Sequence, residues 1–406
     1  MVTLLLAALV ARRVVPGATG FAQINGDIPE PVQTRNTALV SSIPEHIVSL
    51  VFVENTDGTD GGVKRLISSM QSYGLDFYEL IASNDVVLLK INCQWDERGG
   101  TNTDLIREVI QAIVDHPDGF TGEIIVADNG QAQFGPFGRG GSLSWALNNA
   151  VDTSQSVMHV VRDFQNIGHN VTGVLWDEFT TIRVQEFNEG DMRNGFVVED
   201  YIRSTGLQVS YPKFTTEFGT MVSFRKGIWD ANTGTYDGER LKVINMPVLK
   251  AHNWLQVTAA VKNYMGVPSD RLTNFGAANR PHSSVARGGM GTLMAATRMP
   301  VLNILDMIWI GPDQGPRNTF ANAVRINKIA ASTDPVALDW WASRTILMPE
   351  SARFPGGGRS RSMNPDSNEV GTFGHWLRLS MHELHRAGIT ATMDESQIMV
   401  INNATN

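Results

Sequence analysis

The chain has 406 residues, 42% of them apolar and 18% charged, with a formal net charge of −8. That length suits one large α/β domain or two interleaved ones, and the composition is that of a globular protein with a sizeable core. The acidic balance, without a long basic run, argues against nucleic acid as a partner. The single cysteine, Cys93, excludes intramolecular disulfides, Cys-rich zinc sites and iron–sulfur clusters held by several cysteines of this chain.

The first residues, MVTLLLAALVARRVVPGATGFAQ, hold a short apolar run from Leu4 to Val10 and a small-residue cleavage pattern ending at Ala22. They point to export, periplasmic or extracellular, with a cytoplasmic location as the alternative because Arg12 and Arg13 follow the run instead of preceding it. Pro29, Pro31 and Pro44 extend this into a leader and surface arm over 1–45. No other segment reaches about 18 uninterrupted apolar residues, so no integral membrane segment is expected in the body.

From residue 46 the pattern alternates. HIVSLVFVEN (46–55) reads as a strand, and GGVKRLISSMQSYG (61–74) has helical spacing with Gly74 as its stop. NDVVLLKINC (84–93) is a continuous apolar run, as in a strand covered on both faces. TNTDLIREVIQAIVDHP (101–117) opens on capping residues and carries Leu105, Ile106, Val109, Ile110 and Ile113 on one face. GEIIVADNG (122–130) is the next strand. This 46–130 stretch predicts βαβ units in a mostly parallel sheet.

Residues 131–240 are less regular and read as an inserted cap subdomain, with a helix over 153–167 and a strand over 171–177. Alternation returns over 241–406, the segment that completes the core. It starts with a strand leading into a loop (241–250) and continues as a helix over 254–266 and another over 283–297. Strands follow at 301–311 and 327–333, helices at 334–348 and 373–388, and a strand at 396–402. The fold class is therefore α/β, a mostly parallel sheet with helices on both faces plus an inserted irregular subdomain.

In open parallel sheets ligands bind outside the carboxyl ends of the strands. Lys90, Asn92 and Cys93 end one strand, Asp128 another, Lys250 and His252 a third, Asp306 a fourth and Asp334 a fifth. A lysine in apolar surroundings is desolvated, which lowers its pKa and suits it to act as a nucleophile, so Lys262 is the candidate nucleophile or tether. His252 is the candidate acid/base and His282 the metal or anion ligand. With Lys250, Arg280 and Asn263 they form a locally basic cluster that suits an anionic small molecule or cofactor. Asp306 and Asp334 would orient cations or ligand hydroxyls.

Weaker motifs compete with these. GRGGS (138–142) lacks the Lys-Ser/Thr of a phosphate loop, WDEF (176–179) has paired acids, and HELH (382–385) spaces its histidines by three where metalloproteases need four. Asn170 and Asn403 fit glycosylation acceptors.

VVLLKINCQ, TNTDLIREVIQAI, IIVADNG, INMPVLKAHNWLQVTAAVKNYMGVPSDR, His282, LNILDMIWIGPDQGP and IAASTDPVALDWWA resemble the domain-of-unknown-function family 362 (DUF 362). The Lys-x-His…Lys-Asn-x-x-Gly block is the most specific part. Many members carry a ferredoxin-like cluster module; with one cysteine, no iron–sulfur cluster is expected here. A more distant likeness is to the nickel-pincer lactate racemase family, which also places a histidine ten residues before a lysine. That likeness implies a covalently tethered cofactor on Lys262 and a metal on His282. The expected function is an anion-binding, cofactor- or metal-dependent isomerase-like enzyme. The alternative is an exported, non-catalytic binding or assembly protein, and a homo-oligomer is compatible with either.

Overall fold

The computed structural model describes residues 43–131, 140–273, 280–313 and 315–403. The expected leader as far as residue 42, part of the GRGGS motif, and the side chains of Arg280 and Asn403 lie outside the described residues.

The apolar runs become strands of one ten-stranded sheet. Its first members are β1 (Ser49–Asn55), β2 (Val86–Lys90), β3 (Glu123–Asp128) and β4 (Val171–Leu175). Along β2, Val87 and Leu89 enter one core while Val86 and Leu88 enter the other. Strand side chains alternate between faces, so a sheet buried on both sides needs the unbroken apolar run seen in the sequence. The first face is covered by α1 (Gly62–Ser72), α2 (Thr103–Val114) and α3 (Val157–Asn166). Helix α2 starts where the Asn102 side chain accepts the Asp104 and Leu105 amides at 2.9 and 3.2 Å.

A second, antiparallel sheet holds β5 (Gly195–Val198), β6 (Ser210–Thr215), β7 (Met221–Ser223), β8 (Gly227–Asp230) and β9 (Thr235–Asp237) in sequence order. Its Phe196, Phe214 and Val222 pack into the core on the other face of the main sheet. Of the 131–240 stretch, α3 and β4 thus belong with the main sheet, and the second sheet occupies 195–237.

The chain returns to the main sheet through β10 (Leu241–Asn245), β11 (Val248–His252) and β12 (Gln256–Thr258), then the one-turn helix α4 (Ala260–Asn263). After α5 (Gly289–Ala296) come β13 (Leu302–Gly311), β14 (Val324–Ser332), α6 (Pro335–Ala342), α7 (Phe373–Arg386) and β15 (Ile398–Asn403). The order is β15-β1-β14-β13-β10-β2-β3-β4, with β11 paired to the far half of β13. Helices α5, α6 and α7 share their face with the second sheet.

Three expectations are corrected. The helix expected over 254–266 is a hairpin followed by a short helix: Lys250 pairs with Thr258, Ala251 with Val257 and His252 with Gln256. Trp254, Val257, Val261 and Met265 satisfy helical spacing, but Val257 and Thr258 are β-branched and find a strand to pair with. Asp306 does not end a strand; β13 runs five residues further, to Gly311. Finally, β14 is antiparallel to both of its neighbours, β1 and β13. Its carboxyl end, with Asp334 just beyond, therefore lies at the opposite edge from the carboxyl ends of β2, β3 and β10, which run parallel to one another.

Candidate functional site

Lys90 is the last residue of β2, and Asp128 the last of β3, its parallel neighbour. The Lys90 ammonium meets Asp128 Oδ1 at 2.6 Å and donates to the Ile91 carbonyl at 2.9 Å. Both side chains are buried. Gly266 lies against this pair: a Cβ there would fall 2.2 Å from Asp128 Oδ1 and 2.5 Å from Lys90 Nζ. The glycine of the Asn-Tyr-Met-Gly exit thus makes room for an ion pair as well as ending a helix.

An asparagine chain joins the strands. Asn92 Nδ2 donates to Asn263 Oδ1 at 3.2 Å, and Asn263 Nδ2 to Asn245 Oδ1 at 2.9 Å. Asn245 Nδ2 in turn donates to Asn303 Oδ1 at 2.9 Å. The strand period of two places Lys250 and His252 on one face of β11. Lys250 Nζ donates to Asn92 Oδ1 at 3.3 Å and to the Gly99 carbonyl.

Lys262 is carried by α4, whose first turn is held from another element. Asp339 of α6 accepts the Ala260 amide at 2.6 Å and the Val261 amide at 2.9 Å, one on each carboxylate oxygen. Asp339 was not a candidate from the sequence, although a single acid within PVALDWWA was the signal available. Among the described residues Lys262 makes no hydrogen bond and no ion pair, although it is only 5% exposed.

These groups close on a cleft lined by Lys90, Asn92, Asp128, Lys250, Lys262 and Asn263, among others. Its volume is about 10 Å³, room for about one water, and long polar side chains form much of its wall. Burial pushes the Lys262 and Lys250 ammonium groups down to about 7. For Lys250 the next cause is the Lys262 charge; for Lys262, the Asp270 charge opposes the shift and Lys90 adds to it. Burial raises Asp128, against the pull of Lys90.

His252 Nδ1 accepts the Trp254 and Leu255 amides at 3.2 and 3.1 Å. A neutral ring accepting there carries its proton on Nε2. Burial, then the Lys262 charge, pushes His252 far down, so it stays neutral. Its ring lies edge-to-face on His282 at 5.0 Å, and Trp254 follows at 5.8 Å from His282. Burial lowers His282 to about 3.

Other candidates fall elsewhere. Asp306 accepts the Asn102 and Ile308 amides at 2.8 and 3.0 Å and Asn149 Nδ2 at 3.2 Å, and burial raises it to about 7. It holds the start of α2 from behind the cleft. Asp334 caps α6 through the Val336 and Ala337 amides, and its second oxygen takes Ser49 Oγ at 2.6 Å and the Thr392 amide at 2.9 Å. Asp177 of WDEF accepts the Gly140 and Gly141 amides. Glu383 of HELH pairs with Arg386 and accepts from Thr292 Oγ1. Among the described residues there is no group of three or more His, Cys, Asp or Glu side chains placed to hold a metal ion. No helix among them is long and apolar enough to cross a membrane. Cys93 is buried, and burial raises its thiol well above the usual range.

Residues 239–344 match the model of the DUF362 family, a domain of unknown function. The match runs from β10 to α6, so it contains Lys250, His252, Lys262 and Asp339, whereas Lys90 and Asp128 precede it. No curated protein and no solved structure matches the chain.

Proposed function

We propose that the cleft binds a small anionic molecule, a carboxylate or a phosphate in class, on the ammonium groups of Lys262 and Lys250. One observation carries this reading: Lys262 is buried without a hydrogen bond or ion pair among the described residues. An uncompensated buried ammonium costs several kcal/mol, which the chain relieves by releasing the proton or by taking up a negative charge. Asp128 is committed to Lys90 at 2.6 Å and cannot serve a second lysine equally well. An anion between Lys250 and Lys262 restores the balance.

The test compares melting in sodium phosphate and in sodium chloride at equal ionic strength at pH 6.5, where both lysines are mostly protonated. Phosphate should stabilise the protein beyond chloride, by about 2.7 kcal/mol at a hundred times its dissociation constant. Lys262→Met should lose that increment. Equal melting in the two salts would overturn the reading.

A further inference from the structure

We propose that Lys262 forms an imine with a small 2-oxo acid, which makes its amine a covalent catalytic group and not only a charge. This rests on the anion-binding reading and names the ligand class that a free amine adds to it. The three cleft lysines differ in what their nitrogens do. Lys90 is held by Asp128 at 2.6 Å and by the Ile91 carbonyl at 2.9 Å. Lys250 is held by Asn92 Oδ1 and the Gly99 carbonyl. Lys262 donates to no acceptor among the described residues, so as the free base its lone pair is uncommitted. Two further ammonium groups line the same cleft, and a neighbouring cation keeps an amine unprotonated, as burial does.

A 2-oxo acid fits both demands, since its carboxylate takes the cationic partner and its carbonyl carbon takes the amine. Lys262 Nζ attacks that carbon. A C–N bond forms, the carbonyl π pair moves to oxygen, and the oxygen takes the proton leaving nitrogen. The hydroxyl then departs as water with a proton from the Lys250 ammonium, while the nitrogen lone pair closes the C=N bond. The product is a protonated imine on Lys262 beside a neutral Lys250 amine. No oxidant or metal is consumed. The cleft holds about one water, so even a short 2-oxo acid has to displace that water and push aside the long polar side chains of the wall.

The experiment traps the imine. The full chain is incubated at pH 7 with limiting glyoxylate, the shortest 2-oxo acid, and sodium cyanoborohydride, and then mapped by peptide mass. A carboxymethyl group on Lys262 in excess over Lys64, whose side chain is 79% exposed, is the expected result. An ordinary exposed lysine is roughly a thousandth free amine at pH 7, whereas burial leaves Lys262 near half. Labelling of Lys262 should also fall when phosphate is added. Labelling of Lys64 and other exposed lysines without preference for Lys262 would overturn the imine. If phosphate still stabilises the protein in that case, anion binding survives the failure; if it does not, both fail together.

Discussion

The main-sheet cleft and the interior of the second sheet both bury charge, and they do so differently. In the second sheet Glu186 takes Tyr211 Oη at 2.8 Å, Ser223 Oγ at 3.0 Å and Tyr236 Oη at 2.6 Å. Nearby, the Lys213 ammonium lies 3.9 Å over the Phe187 ring and donates to the Asp191 carbonyl. Both charges there are met from within the chain. In the cleft one lysine has a carboxylate, one has neutral acceptors and one has neither. Burial of charge alone therefore does not separate the two regions; the unmet demand of Lys262 does.

Substitutions should separate the two regions. The largest effect is expected from Gly266→Ala, because the new Cβ collides with both members of the Lys90–Asp128 pair. Breaking a buried pair costs about 3–5 kcal/mol, read as the loss in urea-unfolding free energy. Glu186→Ala should come next, at about 3 kcal/mol, since buried hydroxyls of Tyr211 and Ser223 lose their acceptor. It should leave phosphate stabilisation of the folded protein intact. Lys262→Met should do the reverse. Its stability should stay within about 1 kcal/mol of the parent or rise, because an uncompensated charge is replaced by an apolar stem, while the phosphate effect disappears. A large loss from Lys262→Met would place the cleft in the same structural class as the Glu186 cluster.

A further effect is in pH. Lys250 and Lys262 lie near 7 when folded and near 10.4 when unfolded. Between those values the unfolded chain binds more protons, so stability rises with pH. Asp306 and Asp339, raised to about 7 and about 8, act in the opposite sense. Their contribution is present in acid and is lost as pH rises from about 4 to about 8. Above pH 8 the two lysine contributions outweigh the single opposing one of Cys93, whose thiol burial raises. The melting temperature should therefore climb from pH 8 to 10, and less steeply in Lys262→Met.

The sequence carried the strands buried on both faces because continuous apolar runs such as VVLLK have few other uses. It carried the helices α1 and α2 through apolar residues recurring at helical spacing on one face. Lys90, Asp128 and Lys250 were legible as strand-end polars and Lys262 and Asn263 as polars late in an expected helix, and all five line one cleft. Two things were not legible. The reversal of β14 is a property of the chain path between β13 and β14, and no side-chain pattern within NKIAAST encodes it, so Asp334 was assigned to the wrong edge. The hairpin over 248–258 was hidden because Trp254, Val257 and Val261 fall at helical spacing. Its pairing with β11 is decided by β13, far along the chain.

Asp339 ties the helix that carries Lys262 to a distant stretch of chain. Its two oxygens are spent on the Ala260 and Val261 amides, 79 and 78 residues away in sequence. Helix α6, which carries it, continues through a wider turn over Ser343–Leu347, where Arg344 reaches Asp366 and Glu395 at the surface. The position of Lys262 is thus read off α6 as much as off its own hairpin.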